Sequence, residues 1–90
     1  MRVGILGSGF MGSTHARAFA KVPGVQVVAV SSRSLAKAQK LAAEFGASAT
    51  TDDMEIINNP TVDGISNTLP AHLHAQFTTA ALQAGKHVLL

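Results

Sequence analysis

The run Gly7-Ser-Gly9-Phe-Met-Gly12 lies between a short apolar stretch, Arg2-Val-Gly-Ile-Leu6, and a segment whose apolar residues recur with helical spacing from Met11 onward. Glycines at the first, third and sixth positions of a strand-to-helix junction restrict this chain more than any other feature. Gly7 permits a tight turn, Gly9 leaves the backbone bare where another group must come close, and Gly12 lets the helix press against the strand. The junction ends at a helix N-terminus, whose unpaired N–H groups and positive dipole end favour an anion. The pattern predicts a bound diphosphate, held by the main chain of Ser8, Phe10 and Met11 more than by their side chains. A glycine turn required only for packing is the competing reading, and the agreement of strand, glycines and helix weighs against it.

The remaining sequence supplies the surroundings such a turn needs. Arg2–Leu6 is β-branched and aliphatic without alternation, as in a strand buried on both faces. From Met11 a helix with Met11, Ala18 and Val22 on one side and Phe19 adjoining runs to Pro23-Gly24. Residues 25–30 form a second apolar run, after which Leu35, Ala38, Leu41, Ala42 and Phe45 mark a helical stripe closed by Gly46. A short strand near 47–49 precedes Asp52 and Glu55, spaced as a capping box for a short helix before Asn59-Pro60. Residues 62–68 predict a fourth strand and 71–84 a helix with Leu73, Phe77, Ala80, Ala81 and Ala84 inward and Gly85 as its stop. Residues 87–90 predict a fifth strand. Strands separated by helices pair in parallel through right-handed crossovers, with helices on both faces. The expected fold is α/β, a Rossmann-type doubly wound parallel sheet of about five strands in the order 3-2-1-4-5. A crevice is expected between strands one and four, where the order reverses.

In such a fold an acid about 20 residues past the third glycine, at the end of strand two, holds the ribose 2′-hydroxyl of NAD. Nineteen residues past Gly12 stands Ser31, in the stretch Ser31-Ser32-Arg33-Ser34. No carboxylate there repels a 2′-phosphate, while hydroxyls and a guanidinium are available to bind one. NADP is expected in preference to NAD. The alternatives are Ser34 as a helix N-cap with Arg33 solvated, or Arg33 stacked on adenine, which serves NAD equally well.

Charge and composition narrow the partners. Seven basic and five acidic side chains give a net +2, the bases are scattered along the chain, and tyrosine and tryptophan are absent. Nucleic acid is not an expected partner. No uninterrupted apolar run approaches the roughly 18 residues of a membrane span. The four glycines that break the N-terminal run argue against a secretion signal, so a cytoplasmic address is the simplest expectation. His72 and His74, two residues apart at a helix start, point in different directions with no carboxylate or cysteine cluster beside them, so no metal is expected. Of the other histidines, His15 reads as a partly buried surface residue. Asp52, Asp53 and Glu55 stand where a helix cap needs carboxylates, and Asp63 before Gly64 reads as a turn residue.

Ninety residues make one domain at most, and with no cysteine to cross-link it something further is expected to complete the unit. Three blocks carry a resemblance: Val3-Gly-Ile-Leu-Gly-Ser-Gly-Phe-Met-Gly12; Val62-Asp-Gly-Ile65 with Pro70-Ala-His-Leu-His74; and Ala80-Ala-Leu-Gln-Ala-Gly-Lys-His-Val-Leu-Leu90. Over residues 1–90 the sequence resembles the N-terminal NAD(P)-binding domain of the Gfo/Idh/MocA oxidoreductases. The resemblance implies that the Pro-x-x-x-His block borders the nicotinamide half of the cofactor, placing Thr68, Leu69, Pro70 and His74 at the crevice. Leu69 stands where that family usually has a threonine, so the threonine's hydrogen bond to the cofactor would fall to Thr68 or Asn67. The family continues past His-Val-Leu with a Glu-Lys-Pro block, whose lysine is the usual acid/base group, and with a substrate domain. The chain is therefore expected to be the front part of such a design, binding the dinucleotide without catalysing hydride transfer alone. The implied parent acts on a CH–OH carbon of a sugar, polyol or related substrate. The alternative is a non-catalytic nucleotide-sensing or assembly module, and in either case the apolar edge at 87–90 invites a homodimer.

Overall fold

The computed structural model describes residues 1–89; Leu90, the last residue of the fifth predicted strand, lies outside them. In chain order the elements are β1 (Arg2–Leu6), α1 (Phe10–Ala20), β2 (Gln26–Ser31), α2 (Leu35–Ala43), β3 (Ser48–Thr50), α3 (Asp53–Ile57), β4 (Gly64–Asn67), α4 (Ala71–Gln83) and β5 (His87–Leu89). The five strands form one parallel sheet in the order β3-β2-β1-β4-β5, as the alternation of strand and helix predicts. β1 is central, with Val3 opposite both Val27 of β2 and Gly64 of β4.

Burial of β1 on both sides explains its unbroken apolar run. Val3 and Ile5 pack with Ala16 of α1 and with Ala38, Leu41 and Ala42 of α2. Leu6 packs on the other face with Ile56 and Ile57 of α3, Ile65 of β4 and Ala81 of α4. Each crossover thus covers the face its position in the strand order requires.

The rotation of α1 differs from the sequence expectation. Met11, Ala18 and Val22 are exposed, and the inward residues are Gly12 and Ala16, with Phe19 half-buried beside them. A helix that must touch the sheet through a glycine is held close to it, and its contacting residues are then small ones. Leu35, the first residue of α2, is likewise 46% exposed, whereas Ala38, Leu41 and Ala42 are buried as expected. On α4 Ala81 is buried, and Ala84, the C-cap that follows the helix, is exposed.

The caps are partly as predicted. Ser34 Oγ accepts from the Lys37 N–H at 3.3 Å, and Asp52 Oδ1 from the Met54 N–H at 3.0 Å. The capping box at α3 closes through a third residue: Asp52 N–H donates to Thr50 Oγ1 at 3.0 Å, and Thr50 Oγ1 donates to Glu55 Oε2 at 2.9 Å. Asp63 does more than turn the chain, because its Oδ2 accepts from the Arg2 N–H at 2.8 Å and extends the β1–β4 pairing. An exposed Arg17–Glu44 ion pair joins α1 to α2; the guanidinium holds the Glu44 carboxyl below its ordinary range. Solvent screening keeps its contribution to stability small.

Lys86 ties the loop between α3 and β4 to the start of β5. Its half-buried ammonium donates to the carbonyls of Asn59 at 2.7 Å and Val62 at 2.6 Å. Lys86→Met keeps the stem and deletes the donors, so that the Val62 carbonyl loses the ammonium and the Asn59 carbonyl keeps only the Val62 N–H, at 3.1 Å. It is expected to lower stability by about 2 kcal/mol, read from urea unfolding at an unchanged m-value.

Candidate functional site

β1 and β4 are neighbours, yet α1 and α4, which follow them, cover opposite faces of the sheet. The chain therefore diverges beyond their C-terminal ends and leaves a crevice there, at the point where the strand order reverses.

The glycine turn forms the floor of that crevice. Gly7 turns at φ 101°, a conformation that favours glycine, and its N–H donates to the Ser31 carbonyl at 3.0 Å. A Cβ on Gly7 would stand 2.7 Å from Thr68 Oγ1, and one on Gly12 would stand 2.1 Å from the Gly7 carbonyl oxygen. Turn, helix and the end of β4 are thus packed to a closeness that only glycine allows. Gly9 is bare for another reason: its φ is −72°, which any residue adopts, and a Cβ there would meet nothing within 4 Å. Its missing side chain leaves room above the start of α1. As N-cap it offers no side-chain acceptor to the first-turn amides, and no acid stands in that turn. Those N–H groups are suited to an external anion.

Short polar contacts join the turn to its neighbours. Ser8 Oγ donates to Ser32 Oγ at 2.7 Å, and Ser32 Oγ accepts from the Ser34 N–H at 3.3 Å. Thr68 donates both its N–H and its hydroxyl to the Leu6 carbonyl, at 3.0 and 2.7 Å. Asn67 is 6% exposed and turned toward α4, donating to the His74 carbonyl at 3.0 Å and to Thr78 Oγ1 at 3.1 Å. The two groups expected to replace the missing threonine are therefore engaged inside the protein.

The resulting cleft measures about 710 Å³, within the roughly 300–1,000 Å³ common for small-molecule sites. Gly7, Ser8, Gly9, Phe10, Ser32, Arg33, Thr68, Leu69 and Pro70 all line it, so most of the residues singled out in the sequence are brought together. Four are not on its wall. Gly12 packs behind the turn, Met11 is 53% exposed on the outer side of α1, and Ser31 is fully buried. His74 is half-buried on α4, and Leu73 takes the place on the wall that the Pro-x-x-x-His spacing suggested for it.

Ser13, Lys37, Thr51, Asp53 and Leu73 complete the wall and were not foreseen. Asp53 is the most consequential. Its Oδ1 accepts a hydrogen bond from the Ser31 hydroxyl at the end of β2, while Asp52 alone caps α3. The sequence signal for it was available. Every helix of a parallel sheet begins at the same edge, so the spare acid of the Asp52-Asp53 pair belongs to the edge that carries the crevice.

Residues 1–90 match the sequence model of a family described as oxidoreductases with an NAD-binding Rossmann fold, Gfo/Idh/MocA. Inositol 2-dehydrogenase 1 of Saccharopolyspora erythraea is 37% identical over 92 residues, which cover 99% of this chain and 27% of that protein. Among solved structures, GenD2 from gentamicin A biosynthesis, in complex with NAD, superposes with a TM-score of 0.93 at 32% identity, over 98% of this chain and 25% of its own. KijD10, a 3-ketoreductase from Actinomadura kijaniata in complex with NADP, gives 0.91 at 33%, over 99% and 29%. The chain spans about a quarter of the length of these relatives. No helix among the described residues is long and apolar enough to cross a membrane. The chain belongs to the Gfo/Idh/MocA oxidoreductase family, whose NAD-binding Rossmann fold it carries.

Proposed function

We propose that the cleft holds NADP or NAD as the dinucleotide-binding part of an oxidoreductase acting on a CH–OH carbon of a sugar, polyol or related substrate. The observation that carries this reading is the open space over Gly9, above an α1 N-terminus that has no side-chain cap and no acid in its first turn. The diphosphate lies there on the amides of Phe10, Met11 and Gly12, favoured by the helix dipole. The adenosine ribose then falls at Ser32, Arg33 and Lys37, and the nicotinamide half at Thr68, Leu69, Pro70 and Leu73, all on the cleft wall. When bound, the nicotinamide supplies hydride chemistry, and the chain's own residues bind and orient it. The substrate class is supported by the inositol dehydrogenase relative.

Arg33 and Lys37 place two cations at the ribose end, which favours a 2′-phosphate and hence NADP. Calorimetric titration with NADPH and NADH tests both parts. Saturable binding of both, tighter for NADPH, is expected. Arg33→Ala should weaken NADPH about 10-fold and NADH by less than about twofold. Equal losses for the two cofactors would remove the argument for NADP, and no binding of either would remove the cleft as a nucleotide site.

A further inference from the structure

The strand-end position that would carry an acid in an NAD site is Ser31, whose side chain is fully buried. Its hydroxyl is spent on Asp53 Oδ1. The sheet explains how the two meet. Ser31 is opposite Thr50 in the β2–β3 pairing, and the Ser32 N–H donates to the Thr50 carbonyl at 3.1 Å. The chain leaving β3 therefore starts α3 beside the end of β2, with Asp53 as its first residue. Asp52 already accepts the helix N–H bond, so capping does not account for where the Asp53 carboxylate stands.

Asp53 is the one acidic side chain lining the cleft among the described residues, and it shares the wall with Ser32, Arg33 and Lys37. Among the described residues the ion pair is Arg17–Glu44, away from this wall, so neither Arg33 nor Lys37 neutralises Asp53 by direct pairing. The bond from Ser31 uses Oδ1 and leaves Oδ2 without a hydrogen-bond partner among the described residues, and a carboxylate accepts at both oxygens.

Resting on the dinucleotide reading above, we infer that Asp53 is a specificity-determining residue for the adenosine ribose, delivered from α3 across β3 instead of from the end of β2. It accepts from a ribose 2′-hydroxyl and opposes a 2′-phosphate. Arg33 and Lys37 attract that phosphate, so the choice between NADP and NAD is a balance of two cations against one carboxylate held in place by Ser31.

Asp53→Asn keeps an oxygen acceptor for Ser31 and deletes only the charge, and Asp53→Ser serves as a second variant should the amide perturb the fold. Titrating NADPH and NADH against the full chain, with Tm as a check on folding, decides the matter. The ratio of NADPH to NADH affinity is expected to rise about 10-fold in either variant, mainly through tighter NADPH. A ratio unchanged within about twofold, in variants that fold and bind, would overturn the assignment and leave the cleft reading standing. A loss of Tm with no change in ratio would overturn it too, marking Asp53 as a support for β2. Failure of the unmodified chain to bind either cofactor would instead defeat the underlying reading.

Discussion

Gly9→Val is expected to weaken dinucleotide binding severely while leaving the fold intact. The backbone at Gly9 already has dihedral angles that valine adopts, and the added carbon atoms enter space in which no protein atom lies within 4 Å of the Cβ. The weaker helix-cap preference of valine costs about 0.5–1 kcal/mol, and the reduced freedom of the unfolded chain offsets a similar amount. Tm should therefore stay within about 3 °C of the unmodified chain. The side chain nevertheless fills the open space over the first-turn amides of α1, so affinity for both cofactors should fall on the order of 100-fold. Undiminished NADPH binding by a folded Gly9→Val chain would show that the phosphates do not lie on this turn.

Gly12→Ala should also lose binding, by an opposite route. Its Cβ would sit 2.1 Å from the Gly7 carbonyl oxygen and 2.8 Å from the Gly7 carbonyl carbon. These are main-chain atoms, which cannot rotate aside as the end of a side chain can. Relief requires lifting α1 away from β1 and opening the contacts of Ala16 with Val3 and Ile5. Overpacking of this kind costs about 3 kcal/mol, a large share of the 5–15 kcal/mol typical of a domain. Tm should drop on the order of 15 °C. One methyl group at Gly12 is thus predicted to do more harm to the fold than three carbons at Gly9. Thermal unfolding of the two variants side by side checks the contrast, and equal Tm values would mean that α1 does not rest on the turn as described.

That contrast was legible in the sequence only as a motif. Three glycines at the right spacing predicted the turn, because their backbone requirement is local. Which glycine is bare for the ligand and which for packing depends on what surrounds them: Gly12 closes on the Gly7 carbonyl of its own turn, and Thr68 comes from a segment that only the fold brings near. The parallel sheet and its strand order followed from alternating strand and helix periods. Helix rotation was harder. Apolar side chains such as Met11 and Val22 suggested the inner face of α1, but close approach to a sheet selects small residues, Gly12 and Ala16. The same limit applies at α4, where Leu73, not His74, reaches the cleft. Asp53 was read as a capping acid, because its partner Ser31 lies 22 positions away and on a different element.

The place of β1 in the sheet has a consequence for biosynthesis. It leaves the ribosome ahead of both strands that pair with it, and its two edges are filled at very different times. One is covered by β2 soon after, and the other waits for β4, whose Gly64–Asn67 pair with Val3–Leu6. At translation rates of about 5–20 residues per second, that wait lasts roughly 3–12 s. Throughout it the nascent chain offers an unpaired, strongly apolar ribbon to any other strand nearby. A chaperone that shields β1 while the chain is still emerging should therefore raise the soluble yield of this protein more than one acting after release.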